Sequence, residues 1–282
     1  MNLLKIKEHD DILDVGCGVG NLTKKIREIS KGKVVGIDPS EKMISEARSR
    51  QLDITFEQKS AETMDFRNCF EVIFCNSAFQ WFRNPKKALE NCYTALRTNG
   101  RMGIQAPAKK LYCPNFIDAI EEVKKNQKTK DTFAHFRSPW TFFETADEYS
   151  NLFESAGFKV DFSRIETIKT NYSPEEVFAA FSSGAIAGYL NQDFYDRELP
   201  EDYEQNFKAI VRDAFGKQAD AANTDAANTD TANTNRANAA NANVNRANTD
   251  ISNIANADTA KRAGVDLIFN RIYLLAVKNN RR

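Results

Sequence analysis

The sequence predicts an α/β fold in which a largely parallel sheet is covered by helices on both faces. Three observations predict it. Short apolar runs alternate with helical patterns through the first part of the chain. A glycine-rich turn follows the first apolar run, and an acidic residue closes the second one. Each apolar run is as short as a buried strand, and each intervening segment is long enough for a crossover helix.

The alternation predicts seven strands, five of them before residue 110. The first helix follows the glycine-rich turn, the second begins at Pro39-Ser40, and the third begins at Pro85 and ends before Asn99-Gly100. The predicted strands cover 11–16, 33–38, 53–58, 70–76, 100–106, 159–168 and 267–278. The predicted helices cover 20–30, 40–50, 85–97, 114–126, 145–157, 174–190 and 201–215.

Changes in composition divide the chain into four parts. Residues 1–110 form the predicted sheet core, and 111–218 form a helical cap with the sixth strand. Residues 219–262 are built from Ala, Asn, Thr and Asp, and such a tract buries too little apolar area to offset its chain entropy. We therefore expect a disordered or weakly helical insert there, followed by the last strand of the core in 263–282.

Charge and cysteine content narrow the classes of function. The 282 residues contain 39 Lys and Arg and 39 Asp and Glu, so the basic excess of a nucleic-acid-binding protein is absent. No apolar stretch is long enough to span a bilayer, and the first residues do not resemble a signal peptide. Five cysteines without a C-x-x-C pair, with only His9 and His135 beside them, indicate reduced thiols in a cytoplasmic protein and no metal site.

The motif ILDVGCGVG, followed by VVGID, predicts a site for a cofactor that contains adenosine. Gly16, Gly18 and Gly20 allow the backbone to turn tightly and to approach a ligand without Cβ atoms. Asp38 ends the next strand about 20 residues later, where a carboxylate can accept both ribose hydroxyls. Asp14 precedes the glycines and suits a cofactor with an amino group; alternatively, it caps the following helix.

Three longer stretches identify the chain as similar to a known family: LDVGCGVGNLTKKI, GIDPSEKMISEAR and EVIFCNSAFQWFRNPKKALENCYTALRTNGRMGI. They resemble class I S-adenosylmethionine-dependent methyltransferases, and most closely the group with trans-aconitate methyltransferase and the malonyl-carrier-protein methyltransferase. This resemblance implies a Rossmann-like, doubly wound sheet of seven strands with the last strand antiparallel, plus a small helical cap. It also implies S-adenosyl-L-methionine as the cofactor.

The resemblance assigns roles to individual residues. The three glycines would line the methionine part of the cofactor, Asp14 would lie near its amino group, and Asp38 would hold the ribose. Many relatives carry an acid where Ser60 stands, so Glu62 or a backbone carbonyl would replace that adenine contact. The remaining implied contacts are with the adenine (Pro39, Met43, Ser60, Ala61, Glu62), with the sulfonium end (Asn76) and with the substrate (Gln80, Trp81).

Several of these residues also have purely structural interpretations. Asp38 could be an acid that flanks a helix, and Met43 could belong to the core. Asn76 could satisfy backbone groups of its loop. The aromatic residues Phe79 and Trp81 could pack between helix and sheet.

An arginine is the expected partner of an acidic methyl acceptor, because guanidinium binds carboxylate through two hydrogen bonds. Arg83, Arg137 and Arg271 are candidates, and Arg271 ranks first because relatives have an arginine in the last strand. Its alternative is a surface charge at a strand end. Aromatic residues of 174–195 and 133–143 could line a substrate pocket or form the core of the cap.

The sequence thus predicts a methyltransferase that acts on a small molecule or a carrier-bound acyl group, with a carboxylate as the expected acceptor. A different class remains open: a non-catalytic or regulatory protein that binds S-adenosylmethionine in the same fold. A nicotinamide dehydrogenase is disfavoured, because a G-x-G-x-x-G site needs a glycine where Asn21 stands. The sequence does not define an oligomeric state.

Overall fold

The structure is a computed structural model that describes residues 2–242 and 264–279. The strands are β1 Ile12–Val15, β2 Val34–Asp38, β3 Thr55–Gln58, β4 Phe70–Asn76, β5 Leu96–Pro107, β6 Lys159–Tyr172 and β7 Val265–Val277. The α-helices are α1 Asn21–Ile29, α2 Glu41–Arg50, α3 Pro85–Ala95, α4 Pro114–Lys125, α5 Lys130–Phe133, α6 Ala146–Ser155, α7 Pro174–Ser182, α8 Ile186–Tyr189 and α9 Tyr203–Ala242.

The described strands form one seven-stranded sheet in the order β3-β2-β1-β4-β5-β7-β6. The first five strands pair in parallel, and β7 pairs antiparallel with β5. The predicted fold class is therefore confirmed. The order of strands reverses between β1 and β4, and ligands of open α/β sheets bind at such a point, beyond the carboxyl ends of the strands.

Alternating side chains of the central strands enter two different apolar cores. In β1, Leu13 and Val15 belong to one core, whereas Ile12 belongs to the other. In β4, Ile73 and Phe74 divide in the same way. Both faces of the sheet are thus buried, which explains why these strands are almost continuously apolar in sequence.

The chain divides into two compact units, and the division differs from the predicted domains. Of the described residues, the first unit contains 2–112, 139–168 and 269–279, and the second contains 113–138, 169–242 and 264–268. Helix α6 and the first part of β6 therefore belong with the sheet core rather than with the helical cap. They do so because the aromatic side chains of Tyr149 and Phe153 in α6 are fully buried in the first apolar core.

The second unit has an aromatic core of its own, made by α4, α7 and α9. The rings of Phe116, Phe181 and Phe215 lie within 5.1–6.0 Å of one another, and Phe181 and Phe207 are fully buried. Of the two interpretations of this aromatic face, the structure favours ordinary core packing. The helix predicted at 174–190 is interrupted, because α7 ends at Ser182 and α8 begins at Ile186.

Helix α9 extends well beyond the predicted 201–215 and reaches Ala242. The backbone of the first part of the Ala-Asn-Thr-rich tract is therefore helical, which is one of the two states that the composition allows. Alanine has the highest helix propensity, which supports a helix even without buried apolar side chains. Residues 243–262, where disorder was also predicted, lie outside the described residues. No helix in the described parts of the chain has the length and apolar character of a membrane span.

Candidate functional site

The predicted cofactor residues lie at the carboxyl ends of three neighbouring strands. The glycine-rich turn follows β1, Asp38 is the last residue of β2, and Asn76 is the last residue of β4. Because β1 pairs with both β2 and β4, these ends meet at the point where the order of strands reverses. Local sequence spacing and sheet topology therefore bring the motif together at one edge.

The glycine-rich turn is held against β2 by backbone hydrogen bonds. The N–H groups of Gly16 and Cys17 donate to the carbonyl of Ile37 at 2.8 and 3.0 Å. Gly16, Gly18 and Gly20 have φ angles of 74°, 53° and 80°, in the left-handed region that favours glycine. The turn leads into α1, whose N-cap is Gly20 and is not capped by a side chain of the described residues.

The Asp38 carboxylate connects the glycine turn to the start of α2. One oxygen accepts from the N–H of Gly18 at 3.0 Å, and the other accepts from the N–H of Ser40 at 2.9 Å. A carboxylate has about four lone-pair sites, so each oxygen can accept a further hydrogen bond from a ribose hydroxyl. The Asp38 carboxylate is thus fixed in orientation, and it can still accept hydrogen bonds from the ribose hydroxyls.

Asp14 is a buried carboxyl group, and Thr23 is its hydrogen-bond partner among the described residues. Asp14 is 2% exposed, and its Oδ2 accepts from the hydroxyl of Thr23 at 2.6 Å. Burial raises the pKa of Asp14 to about 7; the Thr23 hydrogen bond lowers the pKa, and the negative charge of Asp38 raises it further. Asp14 does not cap α1, because it contacts the side chain of Thr23 and not a backbone N–H.

The residues predicted to contact the adenine differ from one another in exposure and in hydrogen bonding. Met43 is 38% exposed, so it is not a core residue, and its N–H donates to the N-cap Ser40 at 3.3 Å. The Glu62 carboxylate accepts from the backbone N–H of Arg83 at 2.9 Å, beside the start of α3. Ser60 pairs with Thr63, Ala61 is buried, and Pro39 is exposed. The adenine contact therefore remains a prediction, and Glu62 already has a structural partner.

Asn76, Ser77, Gln105 and Arg271 form one polar cluster at the carboxyl ends of β4 and β5, where Arg271 in the middle of β7 pairs with the last residue of β5. In the amide orientation that satisfies both neighbours, Gln105 donates to Asn76 Oδ1 at 2.6 Å. Its oxygen accepts from Arg271 Nη1 and Nε at 2.6 and 3.0 Å, and Arg271 Nη2 donates to Ser77 Oγ at 3.3 Å. Arg271 is thus part of an ordered cluster next to Asn76, rather than an isolated surface charge.

Gln80 and Trp81 lie just beyond Ser77 in a short 3-10 helix. Gln80 is 7% exposed; its amide donates to the carbonyl of Ser77 at 2.8 Å, and its Oε1 has no hydrogen-bond partner among the described residues. The Trp81 ring packs edge-on against Trp140 at 5.4 Å, and the N–H of Thr141 donates to the carbonyl of Gln80 at 2.9 Å. Segment 139–143 therefore lies along the predicted substrate residues.

The remaining candidates are Phe79, Arg137 and Arg83, and each lies in a different environment. Phe79 is fully buried in the first core, so its packing interpretation is confirmed. Arg137 forms an ion pair with Asp196 at 2.9 Å, and the side chain of Arg83 is exposed. Sequence reasoning overlooked Gln105, although a polar residue inside the apolar run MGIQA of a central strand is a usable signal.

The geometry of the edge fits S-adenosylmethionine. A Cβ built on Gly18 meets no described atom within 4 Å, so the turn leaves room for a ligand next to its backbone. Asp14 precedes that turn and Asp38 accepts from its Gly18 N–H, and two acidic groups suit a ligand with hydroxyl and ammonium groups.

Comparisons with known proteins agree with this geometry. An uncharacterized methyltransferase of Schizosaccharomyces pombe is 30% identical over 173 residues, which cover 56% of this chain and 63% of that protein. A trans-aconitate 2-methyltransferase of Rhodopseudomonas palustris is 27% identical over 219 residues, covering 74% and 80% of the two chains. The solved YcgJ protein of Bacillus subtilis has the same fold, with a TM-score of 0.55 and 13% identity over 99% of this chain and 96% of its own.

The family assignment depends on the first half of the chain. The family described as methyltransferase domain matches residues 6–157, which are more than half of the 282 residues. That range contains β1 to β5 and all the predicted cofactor residues, whereas Arg271 lies outside it. The chain therefore belongs to the methyltransferase domain family, as a class I member that uses S-adenosylmethionine.

Proposed function

We propose that the protein transfers a methyl group from S-adenosylmethionine to a carboxylate oxygen of a small acceptor. The observation that carries this proposal is the position of the Arg271 guanidinium, which hydrogen-bonds to Ser77 beside the last residue of β4. Guanidinium is the side-chain group that best matches a carboxylate. The name of the Rhodopseudomonas palustris relative supports the proposal, since trans-aconitate carries carboxylates.

The chemistry requires little from the protein beyond binding and orientation. When bound, S-adenosylmethionine supplies a methyl group that is already activated on a sulfonium. Asp38 and the glycine turn hold the cofactor, and Arg271 orients the acceptor carboxylate. A carboxylate has an ordinary pKa of about 4 and is ionised at neutral pH, so no general base is needed.

Two measurements test the proposal in sequence. Calorimetry is expected to detect binding of S-adenosylhomocysteine and not of NAD. Incubation with S-adenosylmethionine and a panel of dicarboxylates and tricarboxylates is then expected to release S-adenosylhomocysteine. Binding without release for every carboxylate of the panel would contradict the proposal and favour the non-catalytic binding protein.

The Asp38→Ala substitution is expected to weaken S-adenosylhomocysteine binding by at least about tenfold, because it removes hydrogen bonds between a charged group and the ribose. Asp53→Ala is a matched control, since Asp53 is an exposed carboxylate in the loop between α2 and β3. Calorimetry on both variants decides the point. An unchanged affinity in Asp38→Ala would show that the ribose lies elsewhere.

The Arg271→Lys substitution is expected to raise the KM for the acceptor by about 10- to 100-fold, because lysine keeps the charge but not the planar fork of donors. The KM for S-adenosylmethionine should change little. Arg164→Lys is the control, because Arg164 is an exposed arginine of β6 that pairs with Glu166. Equal acceptor KM values in the two variants would remove Arg271 from the acceptor site.

A further inference from the structure

Gln105 occupies a central place in the polar cluster at the carboxyl ends of β4 and β5. In the sheet register it is paired with Asn76 of β4 on one side and with Tyr273 of β7 on the other. Its backbone carbonyl accepts from the N–H of Ser77 at 2.6 Å. The backbone of Gln105 therefore contacts Ser77, and its side chain contacts Asn76, at the end of β4.

The side-chain amide of Gln105 is satisfied in only one orientation. Its N–H group faces the Asn76 oxygen at 2.6 Å, and its oxygen faces two nitrogens of Arg271 at 2.6 and 3.0 Å. The reversed amide would place donors against the guanidinium and an acceptor against the Asn76 oxygen, with no hydrogen bond on either side. The guanidinium thus fixes the Gln105 amide, and Gln105 in turn fixes the Asn76 amide.

The chemical nature of this contact suits a substrate-binding arginine. The amide oxygen of Gln105 and the hydroxyl of Ser77 are neutral acceptors, so they orient the guanidinium without adding a negative charge. A carboxylate at position 105 would also accept from Arg271, but its negative charge would repel an acidic acceptor. A neutral amide at this position therefore suits an arginine that binds an acidic acceptor.

We infer that Gln105 is a positioning residue that orients Arg271 for the acceptor carboxylate. This inference rests on the proposed function for the role of Arg271. Gln105 itself does not contact the reacting atoms. It acts through Arg271, so its contribution to acceptor binding depends on the guanidinium being present.

A double-mutant cycle tests the inference. Gln105→Leu is expected to raise the acceptor KM by about tenfold in the wild-type background and by less than about twofold in the Arg271→Lys background. The KM for S-adenosylmethionine should rise by less than about threefold in both backgrounds. Equal effects of Gln105→Leu in the two backgrounds would overturn the inference, because Gln105 would then act independently of Arg271.

Gln105→Glu separates positioning from a purely structural role. Glutamate keeps the size of the side chain and the acceptor for Arg271, and it loses only the donor to Asn76. This variant should therefore unfold at a temperature closer to that of the wild type than Gln105→Leu, which loses both. Its acceptor KM should nevertheless be higher than that of Gln105→Leu, because the new carboxylate compensates Arg271. Acceptor KM values that simply follow the unfolding temperatures would contradict positioning. Gln127→Glu, at an exposed position of the other unit, controls for the added charge.

A third readout does not depend on turnover. In nitrogen-labelled protein, the Nε–H signal of Arg271, assigned by its loss in Arg271→Lys, should exchange slowly with solvent in the wild type and faster in Gln105→Leu. Equal exchange rates would overturn the positioning role. If this contrast is seen while no carboxylate is methylated, the proposed function fails and the positioning of Arg271 by Gln105 stands.

Discussion

The Gly16→Ala variant is expected to lose its folded state, whereas Gly18→Ala is expected to fold and to bind S-adenosylhomocysteine at least about tenfold more weakly. Both glycines have positive φ angles, so an alanine at either position carries a backbone strain of roughly 1–2 kcal/mol. The two variants differ because of what surrounds each added Cβ. The position at Gly16 is already occupied by another residue, whereas the position at Gly18 is open.

A Cβ at Gly16 would lie 2.2 Å from the Cβ of Ala78. Carbon atoms in contact are separated by about 3.5–4.0 Å, and an alanine Cβ cannot move away by rotating a side chain. The residue after β1 and the loop after β4 would therefore have to separate, at a cost of more than about 4 kcal/mol. A Cβ at Gly18 meets no described atom within 4 Å, so it would project into the space proposed for the cofactor.

Denaturant unfolding and calorimetry on the two variants measure these effects. The double substitution Gly16→Ala with Ala78→Gly is expected to restore folding in part, because it removes the opposing Cβ. Its residual instability should be close to the backbone strain alone. A Gly18→Ala protein that binds the cofactor with wild-type affinity would show that the ligand does not approach this turn.

The fold could be predicted from the sequence because its elements depend on local patterns. β2 and β4 lie within one residue of their predicted bounds, and α2 begins after the predicted Ser40. The third helix was predicted to end at residue 97 but ends at Ala95, because Leu96 already pairs with Phe70 of β4. Tertiary pairing decided that boundary, and it left no trace in the helical pattern.

In the candidate site, too, the sequence predicts the local contacts and misses the long-range ones. The glycine turn and Asp38 are close in sequence, so their spacing was enough to predict their proximity. The contact between Gln105 and Arg271 depends on the antiparallel register of β5 and β7, which are far apart in sequence. Likewise, no local pattern indicated that Glu62 would accept from the backbone at the start of α3. Contacts set by sheet register or loop packing require the structure.

Asp14→Asn is expected to change both the stability of the protein and its affinity for the cofactor, with opposite signs above neutral pH. The pKa of Asp14 is raised from 3.8 to about 7 in the folded protein, first of all by burial. The folded state therefore holds the proton more tightly than the unfolded state. This contribution to stability is complete below pH 3.8 and is lost as the pH rises through about 7.

The expected size follows from the same linkage. Between about pH 5 and pH 8, ionisation of Asp14 lowers the free energy of unfolding of the wild type by about 2–3 kcal/mol, since one pKa unit corresponds to about 1.4 kcal/mol. Asparagine cannot ionise, so the Asp14→Asn variant should not show this loss. Both proteins keep His9, His135 and the nearby Asp38, and the difference between their pH profiles therefore isolates Asp14.

As the pH rises, the affinity for the cofactor should increase while the free energy of unfolding decreases. An ammonium group next to Asp14 favours the ionised carboxyl, so wild-type affinity for S-adenosylhomocysteine should rise with pH through about 7, with release of a proton on binding below that value. In Asp14→Asn the affinity should be weaker and nearly independent of pH over this range. Calorimetry in buffers of different ionisation enthalpy measures the proton release directly. If the wild type releases no proton while its stability follows the predicted profile, Asp14 is a buried structural acid, and the amino group of the cofactor lies elsewhere.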